Sequence, residues 1–223
     1  QISHELRTPL NVVIGLGEIE AAAASGASRQ RLRTVVTSAR DLAVMLDDAV
    51  DYSALTEGRV AVTPRPVIVR SELSTGLLVF EMQARKQGRE LVVTVDRDVP
   101  QVLLLDSQRV RQCLGNLIGN ALKHASRGPV TVQVRHARSR LTIDVADQGR
   151  GIPAALHDKV FEPFYRGSSG TPGVGLGLAI SRAVARQMAG DLVILPTAQG
   201  ATFRLTVHAP ATDPSTDKAG PAD

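Results

Sequence analysis

Apolar residues recur three and four apart through the first fifty residues, and the rhythm then changes. Ile2, Leu6, Leu10, Val13 and Leu16 mark one face of a helix over residues 1–24. The segment SGAS breaks this pattern, with Gly26 as the expected stop. Leu32, Val35, Ala39, Leu42, Leu46 and Ala49 then form the stripe of a second helix. Two helices on a short loop form an antiparallel hairpin. A lone hairpin buries little, so the pattern predicts a second copy closing a four-helix bundle. The alternative is that both helices pack on the rest of the chain.

Beyond TEGRVAVTPRPV, helical stretches at about 71–86, 106–125 and 176–189 alternate with strand-like runs LVVTV, VTVQVRH, LTIDVAD, LVIL and TFRLTVH. VTVQV and LTIDV alternate apolar with polar, as half-buried strands do. The expected fold class is therefore α+β: the helical hairpin, then an α/β sandwich with helices over one face of a mixed sheet. The expected boundaries are a first domain at 1–57, a linker at 58–67, a second domain at 68–210 and a Pro-, Ala- and Asp-rich disordered tail at 211–223.

Composition changes this picture only by exclusion. The 223 residues are 43% hydrophobic and only 3% aromatic, so the core must be aliphatic and bases would find little to stack on. The net charge of +4 comes from scattered arginines, and no nucleic-acid partner is expected. The single Cys113 rules out an internal disulfide and suits a reducing compartment. No apolar run is long enough to cross a bilayer, and no signal peptide is recognised. Because the chain opens inside a motif, it is expected to be a fragment that works in the cytoplasm without touching the membrane, while the full-length protein can be anchored in the inner membrane.

Three stretches of the second domain carry candidate chemistry. In NLIGNALKH, Asn116, Asn120 and Lys123 share one helix face. Carboxamide oxygens suit a hard cation such as Mg²⁺ and lysine suits a phosphate, against the alternative of a solvated face. In DQGRGIP, a strand ends in Asp147 followed by Gly149 and Gly151, a carboxylate beside backbone that a planar ligand can approach. The letters GRGIPA match a dinucleotide fingerprint, but Pro153 and the lack of a later acidic strand end argue against it. A carboxylate accepting from an exocyclic amine, as on adenine, fits better. In GSSGTPGVGLGLAIS, a glycine loop runs into a helix and offers N–H groups to an anion, without the P-loop signature. Just before it, FEPFYRG gathers Phe161, Phe164 and Tyr165, half of the six aromatics, as an expected anchor for a lid.

These stretches, in this order after a hairpin opening with ISHELRTPLN, resemble the catalytic core of a sensor histidine kinase of two-component signalling. ISHELRTPLN is similar to the family's phosphoacceptor H box, and NLIGNALKH, DQGRGIP, FEPFYRG and GVGLGLAIS to its N, G1, F and G2 boxes; QGATFRL resembles its last glycine motif. The resemblance implies a dimerisation and phosphotransfer domain followed by a GHKL-type ATP-binding domain, with ATP and Mg²⁺ as ligands. It makes His4 the phosphoacceptor, Glu5 the general base, and Thr8 the residue orienting water for dephosphorylation of the regulator. Asn116 and Asn120 would face the Mg²⁺–phosphate end, Asn120 as the metal ligand, and Lys123 would contact phosphate. Asp147 would take the adenine amino group, with Gly149 and Gly151 lining the base. Phe161, Phe164, Arg166, Gly173, Gly175, Leu176 and Gly177 would surround the nucleotide from the lid side. The implied partners are a second copy of the chain and the receiver domain of a response regulator, whose aspartate takes the phosphoryl group. His124, where the family usually has an aromatic residue, and Ala189, which replaces a frequent glycine, depart from the pattern.

Neutral imidazole is a nucleophile at cellular pH, and Glu5 could accept its second ring proton. Pro9 lacks an N–H, so the Glu5 carbonyl loses its helical partner and the helix can kink beside His4. Three other readings are weighed: a hydrolysing GHKL ATPase, which needs a carboxylate where Asn116 stands; a degenerate docking module, which would have lost Asn120 or Asp147; and a mitochondrial-type protein kinase of the same superfamily, which would lack HELRTP.

Overall fold

The structure, a computed structural model, describes residues 2–56, 61–125, 128–167 and 174–213, with the side chains of residues 2–7 and 56 excepted. Helix α1 (Ile2–Ala23) runs straight through Pro9, and α2 (Gly26–Thr56) returns antiparallel to it. Only Ala24 and Ser25 separate them. Gly26 takes the left-handed conformation (φ 55°), yet it opens α2 rather than ending α1. The helices close where Gly17 faces Val36: a Cβ on Gly17 would lie 2.7 Å from the valine Cγ2. An Arg40–Glu18 ion pair fixes the register on the surface.

The second domain holds α3 (Val69–Lys86), α4 (Ser107–His124) and α5 (Gly177–Gln187) against a five-stranded sheet. Its strands are β2 (Leu91–Val95), β4 (Val130–Ala137), β5 (Arg140–Ala146), β6 (Asp191–Leu195) and β7 (Thr202–His208), in the order β2-β4-β5-β7-β6. Only β2 and β4 are parallel, so the sheet is mixed as expected. Helix α4 supplies the centre of the core through Val110, Cys113, Leu114, Leu117, Ile118, Ala121 and Leu122, spaced as one apolar face demands. Leu117 and Ile118 are fully enclosed, each contributing about 1.5–3 kcal/mol by leaving water.

Two strands escaped the sequence pattern. Strand β1 (Arg65–Ile68) pairs antiparallel with β3 (Val102–Leu105) in a separate two-stranded sheet. The first contains Pro66 and the second is the unbroken apolar run VLLL, so neither shows a period of two; pairing alone makes them strands. Residues after β7 return to β3: the Leu104 N–H donates to the Pro210 carbonyl (2.9 Å), and the Thr212 N–H to that of Val102 (3.2 Å). The first residues expected in a disordered tail are thus tied down, while 214–223 lie outside the described residues.

Asp106 caps α4, its Oδ1 accepting from the Arg109 N–H at 3.1 Å, and its Oδ2 accepts from the Thr63 N–H at 3.0 Å. The end of α2 docks alongside: Leu55 is buried in the core, and Asp51 Oδ2 accepts from Gln112 Nε2 of α4 at 2.6 Å, with Arg109 Nη1 at 4.0 Å.

Candidate nucleotide site

The polar face of α4 and the end of β5 converge at one end of the second domain. Along β5 the side chains of Leu141, Ile143 and Val145 point into the core, and Asp147 continues that inward series one step beyond the strand. The residue is 7% exposed. Its Oδ1 accepts from the Gly149 N–H at 2.7 Å and the Ala201 N–H at 3.4 Å, and its own N–H donates to the Ala201 carbonyl at 2.9 Å. Among the described residues nothing donates to Oδ2, which remains an open acceptor.

Burial pushes the Asp147 carboxyl above the usual carboxylate range. The Gly149 and Ala201 N–H groups, and then the His124 and Arg89 charges, pull it back. His124, at the end of α4, is itself held below the usual histidine range, first by burial and then by Arg150.

Glycines make this corner possible. A Cβ on Gly149 would lie 2.4 Å from the His124 carbonyl oxygen, and one on Gly151 (φ 72°) 2.7 Å from that of Gly200. Gly200 (φ 70°) is the residue that sequence reasoning did not single out: its Cβ would fall 1.8 Å from the Asp147 carbonyl oxygen. The quoted QGATFRL contained the signal, since a glycine opening a strand marks a close backbone approach.

On α4, Asn116 turns to α5. Its Nδ2 donates to the Gly177 carbonyl (3.2 Å) and to Oγ of the fully buried Ser181 (3.1 Å). Gly177 sits against the carboxamide, where a Cβ would meet its Cγ at 3.4 Å. Asn120, one turn on, is half-buried and makes no hydrogen bond to a described residue, so its carboxamide oxygen remains available. Lys123 is exposed on the same face.

The aromatic segment divides. Phe161 is a core residue, edge-on to Phe203 (6.4 Å between centroids, 89°) and beneath the Arg182 guanidinium at 4.6 Å. Phe164 is 64% exposed with φ 63°, and its N–H donates to the Gly175 carbonyl at 3.0 Å. Gly175 (φ 80°) has no room for a side chain, since a Cβ would lie 2.5 Å from the Tyr165 carbonyl oxygen. Leu176 is 1% exposed and packs into the core ahead of α5, so it anchors the loop from below. Arg166 is exposed. Gly173 and the side chains of His4 and Glu5 lie outside the described residues; Thr8 is exposed on the first turns of α1.

Comparison with known proteins places both halves. Residues 1–58 match the His Kinase A (phospho-acceptor) domain, and residues 105–211 match the histidine kinase-, DNA gyrase B-, and HSP90-like ATPase family. The aerobic respiration control sensor protein ArcB of Escherichia coli (strain K12) is 35% identical over 226 residues, covering 98% of this chain and 29% of ArcB. The sensor histidine kinase AruS of Pseudomonas aeruginosa is 36% identical over 213 residues, covering 91% of this chain and 21% of AruS. The chain thus spans less than a third of the length of these relatives. The crystal structure of full-length ShkA in complex with AMPPNP superposes with a TM-score of 0.81 at 28% identity, over 95% of this chain and 45% of that one. With a phosphoacceptor domain, an ATPase domain and this overall fold, the chain belongs to the sensor histidine kinases.

Proposed function

We propose that the chain transfers the γ-phosphoryl group of ATP to His4 and then to an aspartate of a response-regulator receiver domain. The observation that carries the nucleotide part is Asp147: a buried carboxylate with one oxygen held by backbone N–H groups and the other left to accept from the adenine amino group. Asn120 and Lys123, on one face of α4, would hold the phosphate end. Among the described residues, no group of three His, Cys, Asp or Glu side chains could bind a metal alone. A cation would therefore need the nucleotide phosphates as ligands beside the Asn120 carboxamide. Mg²⁺ bound there would neutralise phosphate charge.

In the transfer, a ring nitrogen of His4 forms a bond to the γ-phosphorus while the bond to the β–γ bridging oxygen breaks and ADP leaves. Glu5 takes the proton from the other ring nitrogen. The resulting phosphoimidazole is a good donor to a carboxylate, and Thr8, one turn from His4, is placed to orient water against the regulator's acyl phosphate. The hydrolysing-ATPase reading is disfavoured by Asn116, which donates to both Gly177 and Ser181; a carboxylate could accept from the Ser181 hydroxyl but could not donate to the Gly177 carbonyl. Dimerisation through the hairpin is supported by the apolar Val12, Leu16 and Ile19 of α1 and Val35 and Leu42 of α2, all more than half exposed.

The test is incubation with γ-labelled ATP and Mg²⁺. Label stable to base and labile to acid is expected on the wild type and absent from His4→Gln, with nucleotide affinity unchanged within about twofold. Acid-stable label on the variant would refute the assignment.

A further inference from the structure

Arg89 is a charged residue where the fold expects an apolar one. Leu91, Val93 and Val95 of β2 stand opposite Val130, Val132 and Val134 of β4, and all face the core. Side chains alternate along a strand, so Arg89, two residues before Leu91, continues the inward series. The pairing extends that far, since the Val130 N–H donates to the Glu90 carbonyl at 2.9 Å. On β5, Val145 stands opposite Val132 of β4 and faces inward too, and Asp147 continues that series. Arg89 and Asp147 thus lie at the same end and on the same face of the sheet, two strands apart. Their backbones are separated by about 12 Å, two strands across and two residues along. On the strand between them Val130 stands level with Asp147 and Gly128 level with Arg89, so the two charges approach diagonally, past a glycine on the arginine's side.

The arginine is half-buried, and its Nη1 is enclosed without a hydrogen-bond partner among the described residues. An enclosed charged donor with no acceptor is costly unless a nearby opposite charge offsets it. The charges bearing on Asp147 come from two elements, His124 at the end of α4 and Arg89 at the start of β2; β7 offers only backbone N–H groups. Burial and then the neighbouring charge of Arg150 lower the His124 pKa, against the opposing pull of Asp147 and with a further push from Lys123. Of the two groups, Arg89 is the one whose charge does not depend on pH.

We infer that Arg89 is a positioning residue of the nucleotide site, adding a permanent positive charge on the inward face that favours the ionised Asp147 carboxylate, the form that best accepts from the adenine amino group. The inference rests on the ATP-binding reading above and deepens it. A protonated Asp147 carboxyl is a poorer acceptor, so affinity for an adenine nucleotide falls as pH drops through its titration. Removing Arg89 raises the pH at which this happens.

Two measurements on the same protein separate the inference from the reading beneath it. The first follows the ¹³C resonance of the Asp147 carboxyl against pH in nucleotide-free wild type, Arg89→Met and Arg89→Lys. The midpoint is expected to rise by roughly half to one pH unit in Arg89→Met and to stay near wild type in Arg89→Lys. His124 is present in all three, so its titration cancels. The second is titration with a fluorescent ATP analogue between pH 5 and 8, where the pH of half-maximal affinity should move by the same amount, with affinity at pH 8 within about twofold of wild type. Coincident carboxyl midpoints in variants of equal thermal stability overturn the inference, as does a shift in Arg89→Lys as large as in Arg89→Met. Failure of the wild type to bind the analogue at any pH refutes the ATP reading instead, and the carboxyl midpoints still decide whether Arg89 governs Asp147.

Discussion

Asp147 uses one of its two oxygens for architecture and keeps the other as an open acceptor. Oδ1 ties the turn after β5 to the start of β7 through Gly149 and Ala201, and Oδ2 takes no donor among the described residues. The same burial that raises its proton affinity strengthens the hydrogen bond it can offer an amine. Asp147→Asn keeps the shape and an acceptor for Gly149 but loses the charge. Nucleotide affinity is expected to drop roughly ten- to a hundredfold, read by titration with a fluorescent ATP analogue at pH 8. Unchanged affinity would make Asp147 structural.

At the scale of elements, α4 works as a spine with three functions spread along its length. Its first turn is capped by Asp106 and clasped to α2 through Gln112; its apolar face fills the core; its last two turns present Asn120 and Lys123. Asn116, between these, joins α4 to the first turns of α5, where the glycine loop ends. Asn116→Asp would set a carboxylate against the Gly177 carbonyl. The variant is expected to lose about 1–3 kcal/mol of stability, measured by denaturant unfolding of the nucleotide-free protein. A midpoint equal to wild type would show that the α4–α5 bond contributes nothing.

For the whole molecule, the hairpin and the ATP-binding domain are joined by more than a chain connection. The Asp51–Gln112 bond, buried Leu55 and the Thr63–Asp106 bond pack the end of α2 against α4. The antiparallel register sets this end of α2 beside the start of α1, where His4 lies. The opposite side of the hairpin stays apolar and open, as a dimer requires. Leu16→Glu with Ile19→Glu puts two charges on that side without touching the core. Light scattering is expected to report a dimer for the wild type and a monomer for the variant, with self-labelling reduced if transfer runs between protomers; a dimeric variant would place the interface elsewhere.

Both helices of the hairpin, the α4 stripe and five strands of the larger sheet follow from periodicity, because each buries one face and the spacing of apolar residues records it. The candidate residues Asn116, Asn120 and Asp147 stand out in the sequence for the converse reason: polar residues and glycines interrupt an apolar pattern there. Tertiary structure alone made strands of β1 and β3, whose four-residue runs acquire partners only across the fold. It also moved Phe161 and Leu176 from the ligand side into the core and revealed Gly200 as the close neighbour of Asp147. Arg89 illustrates the limit most sharply. In sequence it is one more scattered arginine; its place on the inward face at the same end of the sheet as Asp147 depends on three strands meeting in register, and periodicity within one segment carries no information about that.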